Sequence, residues 1–492
     1  MDGSILYLAM PSINDALAPT TDQSLWILDI YGFAVGSLLI TFGNLGDRIG
    51  RKKLLLAGAT VFGAGSLCAA FSPAPELLIA SRGLMGLGGA TLLPSCLAVI
   101  SELFENPTQR ARAIGVYAAT FAAGIVVGPI VGGLMLGHFW WGSVFLINVP
   151  VVVVFLCVAP ILFRDAHTSS PGQIDLSSVA LSVAGLLLTV YGVKHAATYE
   201  LDWQAAVSIA TGVCAIVAFL RRQGRLDLPL LDLRLFKERV FAVAILTGLL
   251  SLVVWAAAAY LSMTYLQSVL GYSVLGAAAL AVPGALVLTL SCVLTPHLVE
   301  RVGSRSALVL CHLFTAAGMA LLVFTGTTHG VHLYIASTMV AGVGFGIAFS
   351  LVADTAVGAV PPSRSGAAGS IAETSNELGH ALGIAVLGSL ATLVFRTRYA
   401  GGETGIGEVV NHHGVSSAAY AQARSAFLAG FHAVAATAAV ICLVLGAFAA
   451  WRIPRHPVPQ RPEPAPAAAP GATRTSSHSP AALHAADLGR SE

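Results

Sequence analysis

A chain of 492 residues in which 56% are hydrophobic and only 10% charged, with a mean hydropathy of +0.80, carries too few charges to cover a water-soluble surface, which needs about a quarter. The bilayer is therefore its expected solvent, and a net charge of +2 excludes the basic excess of a nucleic-acid-binding protein. The seven cysteines (Cys68, Cys96, Cys157, Cys214, Cys292, Cys311 and Cys442) lie in apolar runs, with no Cys-x-x-Cys pair and no metal-ligand spacing, so no metal is expected and they read as small core residues.

A membrane span needs about 20 apolar residues, and on that scale the first six helices fall near 1–17, 25–44, 54–72, 76–99, 111–135 and 142–163. Asp2 stands where a secretory signal would have a basic region, so the first helix is expected to stay attached. That helix is short for a span, and either ends at Asp2 or begins upstream of the chain as given. Two further helices follow near 175–195 and 203–220, and then six more near 240–266, 273–296, 305–325, 331–353, 366–395 and 425–451. The Gly-rich loop over 397–424 is expected to be mobile, and the Pro- and Ala-rich tail after Trp451 to be disordered and cytoplasmic.

Loop charges fix the direction. With both termini in the cytoplasm, sixteen Lys and Arg fall in cytoplasmic loops before the last helix, against four outside: Lys194, Arg396, Arg398 and Arg424. The alternation holds in every loop, which supports an even number of spans.

A repeat divides the chain. Asp47 to Lys52 read D-R-I-G-R-K after the second span, and Glu300 to Arg305 read E-R-V-G-S-R, 253 residues later, after the second span of the last six. Gly124 to Pro129 (G-I-V-V-G-P) and Gly379 to Gly383 (G-H-A-L-G) sit in the fifth span of each group, 255 residues apart. The expected fold is all-α, with fourteen transmembrane helices: an N-terminal six-helix bundle (1–164), an inserted helix pair with its linkers (165–236), a C-terminal six-helix bundle (237–451) and the tail (452–492). A cleft between two such bundles, rocking about a fixed site, gives alternating access.

Three motifs carry chemistry. G-N-L-G-D-R-I-G-R-K-K supplies a tight turn and a cluster of charge at the membrane surface through Gly43, Gly46, Asp47, Arg48, Gly50, Arg51 and Lys52. R-G-L-M-G-L-G-G places Arg82 inside the fourth span, where a charge needs a partner or a wet cavity unless it snorkels to the outer surface. Gly124, Gly128, Pro129, Gly132 and Gly133 let the fifth span approach its neighbours closely and bend.

Together these stretches resemble the major facilitator superfamily. The opening M-D-G-S-I-L-Y-L-A-M-P-S-I and S-L-W-I-L-D-I-Y-G-F are similar to the first two spans of its fourteen-span drug:proton antiporters, and the likeness continues to about Trp451. The resemblance implies that Asp47 anchors against a neighbouring helix end and steadies the outward-facing state, that Arg82 is associated with proton transfer, and that the glycines around Pro129 form the antiporter signature.

Acids inside apolar runs are the candidate sites, because a carboxylate that binds a proton and yields it to a cation suffices for antiport. Asp29 has Trp26, Tyr31 and Phe33 close by in sequence, a setting suited to an organic cation. Glu373 and Glu377 are four apart on one face, with Asn376 and His380 beside them, and the resemblance points to Glu373 first. Asp2 matches the acid of the family's first span, and Asp354 is a weaker candidate near a helix end.

The expected function is proton-coupled efflux of lipophilic, often cationic, compounds by a multi-pass protein of the cytoplasmic membrane, in contact with lipid and functioning readily as a monomer. No nucleotide-binding loop is visible and no cofactor is expected. A dedicated exporter of one metabolite or antibiotic and a proton-linked uptake permease are the alternatives. An enzyme is not expected, since no nucleophile, base and orienting residue form a set.

Overall fold

Helices begin where the sequence supplies caps. Asn106 accepts from the Thr108 and Gln109 amides, with Pro107 in the first turn. Asp202 accepts from the Ala205 amide, Ser273 from Gly276 and Ser417 from Tyr420. Each satisfies a donor that would otherwise be orphaned at a helix start.

The computed structural model describes residues 2–453 except 20, 105, 164–174, 200–201, 227–228, 329, 359, 361–364, 402, 404, 408 and 410–416. The side chains of Asp2, Asp29, Asp47 and Pro129 lie outside the described residues, as does the tail from Pro454 onward. The elements are α1 (Asp2–Leu17), α2 (Thr21–Ile49), α3 (Arg51–Ala70), α4 (Pro75–Leu103), α5 (Pro107–His138), α6 (Ser143–Leu146), α7 (Asn148–Leu162), α8 (Leu176–Tyr199) and α9 (Trp203–Gln223). There follow α10 (Arg239–Thr264), α11 (Val274–Leu322), α12 (Val331–Gly358), α13 (Ser365–Leu382), α14 (Gly388–Arg398) and α15 (Ala418–Arg452). No strand occurs among the described residues.

Every expected span falls on helix. Among the described residues, eight helical stretches are long and apolar enough to cross a membrane by length and composition. The tenth and eleventh expected spans form one long rod, α11, broken at Gly303 (φ 80°, ψ 156°). The thirteenth is α13 and α14 joined through a π-helical turn, Gly383–Leu387, and the last helix starts at Ala418 rather than near 425 because Ser417 caps it. Part of the loop expected to be mobile lies outside the described residues; within the rest, Ile406 and Val409 are buried against the core formed by α10, α11 and α15.

The repeat has a backbone counterpart. Gly50, between α2 and α3, has φ 102° and ψ 128°, and Gly303, at the offset of 253 residues, adopts nearly the same conformation. Other residues enter this left-handed region only with strain. The packing repeats too: α5 lies on α1, with Gly132 so close that a Cβ there would stand 2.8 Å from Ile5 Cγ2, and α13 lies on α10, with Gly379 and Gly383 against the Leu249 and Val253 carbonyls. Helix α2 also packs on α13, and α5 on α11 and α12.

The cysteines correct one expectation. Cys292, Cys311 and Cys442 are buried and Cys96 is intermediate, but Cys68, Cys157 and Cys214 are exposed. In a membrane protein the outer face is as apolar as the core, so an apolar run does not tell the two apart.

The helix pair α8–α9 is braced against α2 at both ends. At one, Tyr191 stacks on Trp26 with ring centroids 6.2 Å apart. At the other, Arg222 grips Asp175 through two bonds of 2.6 and 3.0 Å, Ser178 donates to Asp175, and Gln223 donates to Ser178. The Gln223 carbonyl takes the Leu230 and Leu231 amides, and the Leu230 carbonyl accepts from Asn44 of α2. The Arg222 guanidinium, and then the Ser178 hydroxyl, hold the Asp175 carboxyl well below the usual carboxylate range.

Candidate functional site

The end where α2 meets α3 carries Arg48, Arg51, Lys52 and Lys53 and is called the basic end here. Its geometry follows from Gly50, whose left-handed backbone turns the chain directly from α2 into α3. Arg51 is thereby directed inward: it is 4% exposed, bonds Glu102 of α4 at 2.7 Å and donates to the Ala98 carbonyl at 3.2 Å. Lys52 donates to the Pro160 carbonyl of α7 at 3.1 Å. Gly46 leaves room for Leu54, 3.2 Å from where its Cβ would be, and Gly43 is buried. Asp47, named from the sequence as an anchor, has its side chain outside the described residues, and Arg48 is partly buried.

The corresponding turn in the second half is wired differently. Position 304 is serine where the first turn has Arg51, so the acid at the end of α12, Asp354, faces Arg110 of α5 at 3.6 Å. Glu300 faces Arg112 of α5 at 3.6 Å, and Arg305 donates to the Ala450 carbonyl. Asp354, a weak candidate from sequence, thus ties α12 to α5, with a cationic partner expected only as a loop charge.

Deeper in the bundle, Arg82 is 1% exposed, its Nε donates to the Ile27 carbonyl at 3.3 Å, and its guanidinium stands 4.9 Å over the Tyr31 ring. Snorkelling is thereby excluded. A desolvated cation over an aromatic face gains about 2 kcal/mol, which offsets part of the cost of burying it. Arg82 is held against α2 by contacts two residues to either side of Asp29, whose own side chain lies outside the described residues. Asp2 is on α1 with the same restriction.

Glu373 lies on α13 where five helices meet. Tyr117 of α5 donates its hydroxyl to Oε1 at 3.3 Å, and Asn376 donates to Oε2 at 3.4 Å. Cys96 of α4 is within electrostatic reach. Beside the carboxyl is a cavity with room for about one water molecule, lined by Gly248 and Ser251 of α10, Phe349 and Val352 of α12, and Asn376. Glu377, one turn on, has its Cβ 3.7 Å from the point a Cβ on Gly36 of α2 would occupy. His380 is exposed, with its ring 6.1 Å from that of Trp255.

The glycines of the fifth span are divided in role: Gly128 and Gly132 are buried, Gly132 against α1, while Gly124 and Gly133 are half-buried. Sequence reading missed Tyr117, Arg110 and Glu102. Each is an ordinary residue for its position, and the partner that gives it a role is distant in sequence or on another helix. Among the described residues no group of His, Cys, Asp and Glu could hold a metal ion.

This arrangement offers a carboxyl group able to hold one proton or one cation where five helices meet, with charged ties from α5 to α11 and α12 at the basic end. Comparison with known proteins gives it a context. Residues 1–384 match the family model described as Major Facilitator Superfamily. The chain is 37% identical over 397 residues to the multidrug efflux pump LfrA of Mycolicibacterium smegmatis, covering 81% of this chain and 79% of that protein. It is 34% identical over 403 residues to the methyl viologen resistance protein SmvA of Salmonella typhimurium, covering 80% of each. Its fold is similar to that of the human organic anion transporter MFSD10 (TETRAN), with a TM-score of 0.57 at 14% identity, over 91% of this chain and 89% of that one.

Proposed function

From the premise that the chain belongs to the major facilitator superfamily, as a transporter and not an enzyme, we propose that it exports lipophilic, often cationic, drugs or toxic compounds in exchange for protons. The supporting relatives are an efflux pump and a resistance protein for methyl viologen, an organic dication. The observation that carries the reading is Glu373, an acid within a membrane-spanning bundle that bridges two halves through Tyr117. A carboxylate there can be neutralised by a proton or by a substrate cation, and competition between the two is antiport.

In this reading the fourteen helices form two six-helix bundles and an inserted pair. The basic end and both termini face the cytoplasm, by the loop charges, and the protein works as a monomer in lipid, without a cofactor, on the proton gradient. The ties Arg110 to Asp354, Arg112 to Glu300 and Tyr117 to Glu373 run from the basic end towards the middle of the bundle. They hold this conformation shut on the cytoplasmic side. Substrate cations bind through Asp29 and its neighbouring aromatic residues, with Glu373 as the coupling acid, Glu377 and Asp2 assisting, and Arg82 holding α4 to α2 beside Asp29.

Inside-out membrane vesicles with an imposed pH gradient test the function. Dyes and quaternary ammonium compounds should accumulate in the vesicles while the gradient lasts and stop when a protonophore collapses it. Accumulation that survives collapse would contradict proton coupling, and failure of a broad panel to move would contradict a drug exporter. Asp29→Asn should abolish or narrow cation transport with insertion intact; unchanged transport of every cation would remove Asp29 from the mechanism.

A further inference from the structure

We propose that Tyr117 is a positioning residue that turns the protonation of Glu373 into a change of grip between the two halves of the protein, an inference that rests on the reading of Glu373 as the coupling acid. Glu373 accepts two hydrogen bonds. One comes from Asn376, on its own helix, and travels with it. The other comes from Tyr117, on α5 of the first half, 256 residues away in sequence.

The strength of that second bond depends on charge. A phenol donating to a carboxylate makes a bond roughly twice as strong as one to a neutral acid. The ionised carboxyl therefore holds α5 to α13, and the protonated one holds them weakly. Tyr117 lies seven residues, about two turns, beyond Arg110 on α5, so the Tyr117 to Glu373 and Arg110 to Asp354 ties are successive rungs along one helix. Loss of the inner rung leaves the outer one exposed to competition from water.

The groups that touch or line the Glu373 carboxyl do not supply another proton switch. From α4 comes the Cys96 thiol and from α5 the Tyr117 phenol, whose ordinary values both lie well above neutral. From α10 and α12 the cavity lining is uncharged, and Asp354, further along α12, is already matched by Arg110. On α13 itself Glu377 lies one turn away, facing α2, and the exposed His380 lies two turns away beside Trp255; Glu373→Gln separates the response of Glu373 from both. The cycle then has a definite sense. A proton arriving from the outside neutralises Glu373, the Tyr117 bond weakens, and the halves part at the basic end. There the proton leaves and substrate enters.

The test reads conformation rather than transport, so it is separable from the exporter reading. Spin labels are placed at Gln109→Cys on α5 and Val302→Cys at the turn of α11, in the full-length protein with the exposed Cys68, Cys157 and Cys214 replaced. Distances are measured by electron–electron double resonance in mildly alkaline and mildly acidic buffer. The short-distance population should dominate at alkaline pH, and the ratio of short to long should fall about tenfold on acidification, the effect of removing one charge-assisted bond. Glu373→Gln should give the acid distribution at both values. Tyr117→Phe, which keeps the ring, should do nearly the same, retaining less than about a threefold response. A full tenfold response in Tyr117→Phe, or none in the parent protein, would overturn the proposal. If the vesicles export nothing while these distances still respond as described, the exporter reading fails and the Tyr117 coupling stands.

Discussion

The two turns around Gly50 and Gly303 share a backbone and differ in their charges. Both glycines take a left-handed conformation at the same offset in the repeat. After Gly50 the chain supplies Arg51, which turns into its own half and binds Glu102. After Gly303 it supplies Ser304, and the acids nearby, Asp354 and Glu300, face the other half through Arg110 and Arg112. One turn is tied to α4 beside it; the acids near the other one face α5. In the proposed two-bundle reading the first tie stiffens a half and the second latches the halves, and a rocking transporter needs both, because a rigid body that never releases and a latch without rigid bodies are equally useless for alternating access.

Substitutions should separate the two roles. Arg51→Ala removes a buried ion pair and a carbonyl bond within one half and should cost about 2–3 kcal/mol, read as a large fall in the melting temperature of the purified protein. An unchanged melting curve would remove Arg51 from the rigid half. Gly50→Ala and Gly303→Ala meet nothing within 4 Å, so each should cost only the backbone strain of about 1–2 kcal/mol, alike in both turns. Unequal losses would break the backbone equivalence.

Asp354→Asn should leave the melting temperature almost unchanged, while shifting the balance between the basic-end-closed and basic-end-open states by about fivefold, near 1 kcal/mol. Labels on α5 and α11 read that shift, and exchanging the charges, Arg110→Asp with Asp354→Arg, should restore part of it. The smallest effect is expected at the inserted pair. The folded value of Asp175 is below that of a free carboxylate, so the Arg222 tie contributes fully above the free value and is lost only as pH falls through the folded one. Asp175→Asn should therefore lower thermal stability by the same small amount from mildly acidic to neutral pH. A difference that changes between those values would contradict the tie.

What could be read in the sequence was what depends on one residue in its local setting. Glu373 is an acid in an apolar run, Gly50 and Gly303 stand at a fixed offset between apolar runs, and Arg82 is a charge inside a span; each is visible without a partner. Tyr117 is not, because a tyrosine in a membrane helix is commonplace until the helix that faces it is known. The reach of Asp354 across the halves was hidden for the same reason, and the exposed cysteines were misread because lipid and core select the same residues. The place of Glu373 between two halves therefore came from packing, whereas its candidacy came from composition.

The proposed antiport turns on one carboxyl group taking a proton or giving way to a cation, and that exchange can be measured directly. A quaternary ammonium compound is added to the purified protein in weakly buffered solution while released protons are recorded with a pH-sensitive dye. Proton release from the parent protein should saturate with the compound and be lost or sharply reduced in Glu373→Gln. Binding of the cation with no proton release, or equal release from Glu373→Gln, would contradict exchange at this carboxyl.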